Sequence, residues 1–171
     1  MSVLDIIRTR RSVRKYKDDP VPEDVLARVL EAARMAPSAK NLQPWQFIVV
    51  RDRATKRRLA KAAFDQNFMS KADVVIAACG FPEKAYPGQG RYMNSWPIDV
   101  TIAFEHLILQ AEEEGLGTCW IGAFDEAEVK IVLGVPEEVR VLALTPLGRS
   151  DESPRERGRK PLEEIVSYEK F

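Results

Sequence analysis

The sequence predicts one domain mixing helices and strands, of the α/β or α+β class, and three features support this. Apolar residues recur at helical spacing in several segments. Continuous apolar runs such as WQFIVV and VVIAAC stand between those segments and read as buried strands. No internal repeat or linker-like stretch breaks the chain, and 171 residues suffice for a single core.

Taken in order, a short amphipathic helix starts after Ser2, which with Asp5 makes an S-x-x-D capping box. The basic segment 10–17 follows as irregular or extended chain. Pro20, Pro22 and Glu23 then open a second helix. Its apolar positions Val25, Leu26, Val29, Leu30 and Ala33 keep helical spacing, and Pro37 stops it. A polar loop, SAKNLQP, leads into a strand at 45–50. Asp52 caps a third helix over 53–64, basic on its exposed side, and 74–79 is a second buried strand. Residues 80–97, rich in Gly, Pro and aromatics, read as a loop or lid. Asp99 caps a long, largely apolar helix, 99–114, which Gly115 ends; such a helix belongs in a core or a subunit interface. TCWI (118–121) is a short strand. D-E-A-E at 125–128 is a capping box for helix 126–133, stopped by Gly134, and 139–147 is a further strand. Residues 149–161 form a polar surface excursion. The tail PLEEIVSYEKF regains apolar spacing and is expected to dock, by adding a strand.

Charge narrows the function classes. Lys and Arg number 26, Asp and Glu 26, and the pI is near 6.6, which argues against a dedicated nucleic-acid binder. The abundance of Arg and Glu resembles a heat-adapted surface of solvated charges. No apolar run is long enough to span a membrane, and Cys79 and Cys119 lack metal-ligand spacing, so a cytoplasmic protein with buried free thiols and no metal is expected. There is no P-loop. GLGTCWIG follows a helix and leads into a strand, the reverse of the Rossmann order, so Gly115 and Gly117 read as a helix stop. His106 is the only histidine and has neither a GxSxG serine nor a Cys partner, so nucleophilic hydrolysis is excluded as a reading. An enzyme built from this chain must borrow its chemistry from a cofactor.

The cations are the main clue. Against a neutral background, Arg10, Arg11, Ser12 and Arg14 crowd one short segment, and Arg155, Arg157 and Arg159 crowd another near the far end. In an extended RRSVR, residues 10, 12 and 14 point to one side, giving two guanidinium forks and a hydroxyl suited to a phosphate monoester. Solvated arginines are the competing reading. The loop MAPSAKNLQPWQF sits between a helix and a strand, a common place for binding residues, and its amides suit a heterocycle edge; an ordinary helix-to-strand turn is the alternative.

RRSVRKY near the N-terminus, APSAKNLQPWQF after it, GLGTCWIGAFD and RGRKPLEEIV near the end, in that order, resemble the nitroreductase family over essentially the whole chain. The resemblance implies an α+β fold, a mixed sheet flanked by helices, making one FMN-binding domain over 1–171 and an intertwined homodimer with FMN at the interface. It implies that Arg10, Arg11, Ser12 and Arg14 grip the FMN phosphate and ribityl chain, with Arg157 and Arg159 on the same phosphate. Pro37, Ser38 and Asn41 are expected to come from the other subunit. Gln66, with Asn67 as the alternative, is expected at the pyrimidine edge, and the backbone at Gly122 and Ala123 near the reactive nitrogen. Several larger members carry Glu-Gly where this chain has Gly-Ala. Tyr92, Met93 and Trp96 are placed in the acceptor pocket. The activity implied is hydride transfer from NADH or NADPH to a small organic acceptor, a nitroaromatic or quinone, by a ping-pong route through one shared site. Other branches of the fold dehalogenate, fragment flavin or oxidise azolines, and a flavin-storage or sensor protein is the alternative outside catalysis.

Overall fold

The computed structural model describes residues 2–171. Its helices are α1 (Val3–Thr9), α2 (Glu23–Arg34), α3 (Arg53–Ala62), α4 (Trp96–Glu113) and α5 (Glu126–Leu133). Its strands are β1 (Trp45–Val50), β2 (Val74–Gly80), β3 (Gly117–Thr118) and β4 (Arg140–Gly148). They form one antiparallel sheet in the order β1-β2-β4-β3.

Side-chain alternation along β2 divides the core in two. Val74, Ile76 and Ala78 pack with α2 and α4, through Val29, Phe104 and Leu107, on one face. Val75, Ala77 and Cys79 pack with α3 and α5, through Leu59 and Val129, on the other. Every residue of β2 is buried, which explains why its sequence is apolar throughout although its neighbours are antiparallel. The architecture is α+β, with helices on both faces of the sheet.

Local signals in the sequence account for most element ends. The Ser2–Asp5 capping box is present, Asp52 accepts the Thr55 N–H, and Asp125 accepts the Glu128 N–H. Gly115 and Gly134 take the left-handed conformation past α4 and α5, at φ +71° and +66°.

Five expectations need correction. Asp99 is not a cap: α4 starts three residues earlier, with Pro97 tolerated in the first turn, and Asp99 is buried inside the helix. The 118–121 strand shrinks to Gly117–Thr118, because the Cys119 N–H turns to the Thr145 hydroxyl and only Ile121 rejoins the sheet, at Leu144. β1 is only partly buried, since it forms one edge of the sheet. Lys56 of α3 points inward, where its ammonium donates to the Ala72 and Asp73 carbonyls at 2.6 and 2.7 Å. The tail adds no strand: beyond the 3-10 turn Leu162–Glu164 it lies exposed.

Candidate functional site

The basic segment 10–17 is extended because its inward residues are anchored. Val13 and Tyr16 are buried, the Val13 N–H donates to Thr118 O at 2.8 Å, and the Tyr16 hydroxyl donates to Val13 O at 2.6 Å. Ser12 bridges to Thr118 in parallel, so the segment runs beside β3. Its far end is joined to the chain leaving β4: the Lys17 N–H donates to Arg149 O, and the Asp151 N–H to Lys15 O, each at 2.9 Å.

This stitching brings the two basic clusters together. Arg10, Arg11, Ser12 and Arg14 from one end, and Arg155, Arg157 and Arg159 from the other, line one cavity of about 280 Å³. Glu152 and Pro154 complete its wall. Arg11 lines the cavity along with residues 10, 12 and 14, so simple alternation does not describe the segment. The Arg11 guanidinium is already engaged by the Arg8 carbonyl, by Arg10 O at 2.8 Å and by Glu156 at 3.5 Å. Arg159 donates to Arg157 O at 3.0 Å. Among the described residues, Arg10, Arg14, Arg155 and Arg157 make no ion pair.

An adjoining basic cavity of about 640 Å³ shows the contrast. There Arg51 is paired with Asp73 and Glu23, and Lys56 donates to two carbonyls. Uncompensated guanidiniums gathered in one place repel one another, and an anion relieves that repulsion.

A second locus lies past β3. The Gln66 amide donates to Ala63 O at 3.0 Å and to Ala123 O at 3.1 Å, so Gln66 and Ala123 meet as a pair. Gly122, Ala123 and Asn67 are exposed, and Phe64 and Asp65 take left-handed conformations that turn the chain at the end of α3. Neither Gln66 nor Ala123 lines the arginine cavity, but the Ser12–Thr118 bridge ties the two loci to one strand.

The 37–43 loop is a third, separate locus. Lys40, Asn41 and Gln43 have φ of +51°, +56° and +50°. Ser38 accepts the Gln43 N–H at 2.9 Å, and the Asn41 side chain accepts the Gln43 amide at 3.1 Å. Pro37 and Asn41 are exposed, and none of these residues lines the arginine cavity. The buried Asp99 ties the loop to α4, accepting the Ala39 N–H at 2.9 Å and the Ser95 hydroxyl at 2.7 Å. An aspartate near the start of a largely apolar helix was the available signal for this anchor.

The three residues placed in an acceptor pocket separate. Tyr92 is exposed, and Met93 closes a tight turn by donating its N–H to Gln89 O at 3.2 Å. Trp96 belongs to α4 rather than to a lid. A Cβ on Gly80 would lie 2.4 Å from the Trp96 ring, so the indole packs closely against β2. Sequence reasoning placed neither Arg155 nor Glu152 in a cofactor site, although both line the arginine cavity.

The remaining reactive groups are quiet. Burial pushes the Cys79 thiol up to about 11 and raises that of Cys119, which keeps both protonated. Among the described residues no cluster of His, Cys, Asp and Glu could hold a metal, and no helix is long and apolar enough to cross a membrane.

The family model described as Nitroreductase family matches residues 7–78 and 63–149 of the chain. A Thermus thermophilus protein named NADH dehydrogenase is 38% identical over 188 residues, which cover 93% of this chain and 92% of the relative. A crystal structure of a nitroreductase family protein from Clostridium difficile 630 matches with a TM-score of 0.92 at 30% identity, over 100% of both chains. An FMN-dependent nitroreductase from Clostridium difficile R20291 matches with a TM-score of 0.86 at 30% identity, over 98% of this chain and 99% of its own.

Proposed function

The chain belongs to the nitroreductase family, and from that premise we propose that it is an FMN-dependent oxidoreductase passing a hydride from NADH or NADPH to a small organic acceptor. The observation that carries this reading is the convergence of five guanidiniums that make no ion pair among the described residues, Arg10, Arg14, Arg155, Arg157 and Arg159, on one cavity of about 280 Å³. Planar forks of fixed charge, with the Ser12 hydroxyl beside them, suit the dianionic phosphate of a flavin mononucleotide and have no use for a neutral riboflavin end.

Bound there, FMN supplies two-electron transfer between a nicotinamide and an acceptor, chemistry that the side chains of this protein lack. Arg10, Arg14, Arg157 and Arg159 hold the phosphate, with Ser12 donating a hydrogen bond. Arg11, braced by its carbonyls and Glu156, stiffens the wall. Gln66 has its amide nitrogen anchored on Ala63 and Ala123, which leaves its oxygen as an acceptor for the pyrimidine edge. The exposed chain at Gly122 and Ala123 would meet the ring with no side chain larger than a methyl between them. A glycine there keeps that approach open.

Pro37, Ser38 and Asn41 lie away from the arginine cavity of their own chain, which fits their supplying a partner's site in a homodimer. Tyr92 and Met93 border the acceptor, whereas Trp96 supports the sheet. Nicotinamide and acceptor take turns at one open face, which yields ping-pong kinetics and requires no Rossmann unit. Protons come from water, so His106 has no part. The chain acts as one domain over 1–171, in the cytoplasm.

An anaerobic visible spectrum of the purified protein, recorded before and after NADPH and then NADH, tests the reading. Flavin absorption that bleaches with either nucleotide is expected. A colourless protein that takes up no added FMN overturns the proposal, and flavin bands that persist with both nucleotides overturn the reductase activity and favour storage.

A further inference from the structure

Glu152 is out of place. Among the described residues it is the one carboxylate lining the arginine cavity, where a phosphate would experience it as repulsion. Its carboxylate is not spent on an arginine side chain. One oxygen, Oε1, accepts two successive backbone donors, the N–H of Arg14 and that of Lys15, the latter at 3.1 Å. The residue is itself held in place, since Ser150 Oγ donates to Glu152 O at 2.7 Å and receives the Glu152 N–H at 3.3 Å.

The position of these bonds matters. Residues 10–17 contain no helix, and their backbone is fixed at intervals: the Val13 N–H to Thr118, the Lys15 carbonyl to Asp151 and the Lys17 N–H to Arg149. Between those bonds, the N–H groups of Arg14 and Lys15 find their acceptor in Glu152. Without Glu152, two adjacent N–H groups in a half-exposed segment lose their acceptor, and Arg14 is free to swing away from Arg155 and Arg157.

We propose that Glu152 is a positioning residue for the phosphate site, clamping the Arg14–Lys15 backbone so that the N-terminal and C-terminal arginines face one anion. The inference rests on the FMN reading for the identity of that anion. It also makes a prediction opposite in sign to simple electrostatics. Deleting a negative charge beside a phosphate site would tighten binding if charge alone mattered; deleting this one loosens it.

The test uses full-length chains, wild type, Glu152→Ala and Glu152→Gln, titrated with FMN and separately with riboflavin. In the Ala variant, FMN is expected to bind at least about tenfold more weakly while riboflavin binds as in wild type, which also reports that the fold is intact. The Gln variant keeps an acceptor oxygen and is expected to bind FMN within about threefold of wild type. Amide hydrogen exchange on the flavin-free chains provides a readout independent of FMN: protection at residues 14 and 15 falls in the Ala variant and persists in the Gln variant. An Ala variant that binds FMN as tightly as wild type, a Gln variant that rescues nothing, or unchanged exchange at residues 14 and 15 each overturns the proposal. A wild type that binds no FMN instead overturns the cofactor reading, and the exchange data then decide the clamp alone.

Discussion

Arg10 and Arg14 face a cavity shared with four further arginines and, among the described residues, neither makes an ion pair. Such an arrangement adds nothing to the empty fold and becomes favourable only when an anion arrives. Hydrogen bonds to charged groups contribute about 1.5–3 kcal/mol each. Replacing both residues by alanine should therefore raise the FMN dissociation constant by at least about a hundredfold, at 1.4 kcal/mol per tenfold. Thermal stability should hold or rise slightly, because like-charge repulsion is relieved. Flavin fluorescence titration beside a melting curve measures both, and unchanged flavin occupancy would remove these arginines from the site. The arginines were legible because an R-x-S-x-R pattern on a neutral chain is a local signal. Asp99 and Glu152 were not, because what an acid accepts is decided by which backbone N–H groups the fold brings to it. Asp99 reads as a helix cap until Ala39 is seen to donate to it from a distant loop.

Between elements, Gly117 sets how closely the basic segment approaches the sheet. A Cβ added there would lie 2.7 Å from Val13 Cγ2 and 2.8 Å from Val13 Cβ. Valine is branched at Cβ and cannot swing aside within its extended backbone. The residue next to it on each side, Ser12 and Arg14, lines the arginine cavity. Gly117→Ala should thus cost about 1–3 kcal/mol of stability by overpacking and should also weaken FMN binding, by lifting the segment off β3. Adding Val13→Ala should restore much of the affinity by making room. Urea denaturation and flavin titration of the single and double variants check this; a double variant no better than the single one would mean that the contact does not position the arginines. The reading of GLG as a helix stop was half right. Gly115 has the positive φ that a stop requires, whereas Gly117 lies in a strand and serves close approach, a need that arises only once residues 10–14 are laid across it. Helix and strand positions elsewhere were largely legible, because caps, glycines and apolar spacing are local. The order β1-β2-β4-β3 was not, since it depends on which strands the helices bring together.

For the molecule as a whole, exposed apolar side chains gather at its two ends. α1 exposes Val3 at 69% and Leu4 at 52%, while the tail exposes Leu162 at 66%, Ile165 at 64%, Tyr168 at 83% and Phe171 fully. Spacing along the tail predicted that it docks, and it does so nowhere on its own chain; pattern alone cannot tell whether the receiving surface belongs to the same chain or to a second copy. A homodimer would account for the exposed tail and for a 37–43 loop that lines no part of the arginine cavity. Burying a large apolar side chain stabilises by about 1.5–3 kcal/mol, so four tail residues contribute roughly 6–12 kcal/mol per protomer. That is comparable to the roughly 4–15 kcal/mol cost of association, so the tail is expected to decide whether the dimer persists. Light scattering at micromolar concentration should give twice the 19.4 kDa of one chain. Truncation after Lys160 should shift the mass toward one chain and lose FMN together with the dimer, although the truncated chain keeps every arginine of the cavity. A full-length chain scattering at 19.4 kDa, or a truncated monomer that still holds flavin, would return the whole site to a single protomer and leave the 37–43 loop without a role in it.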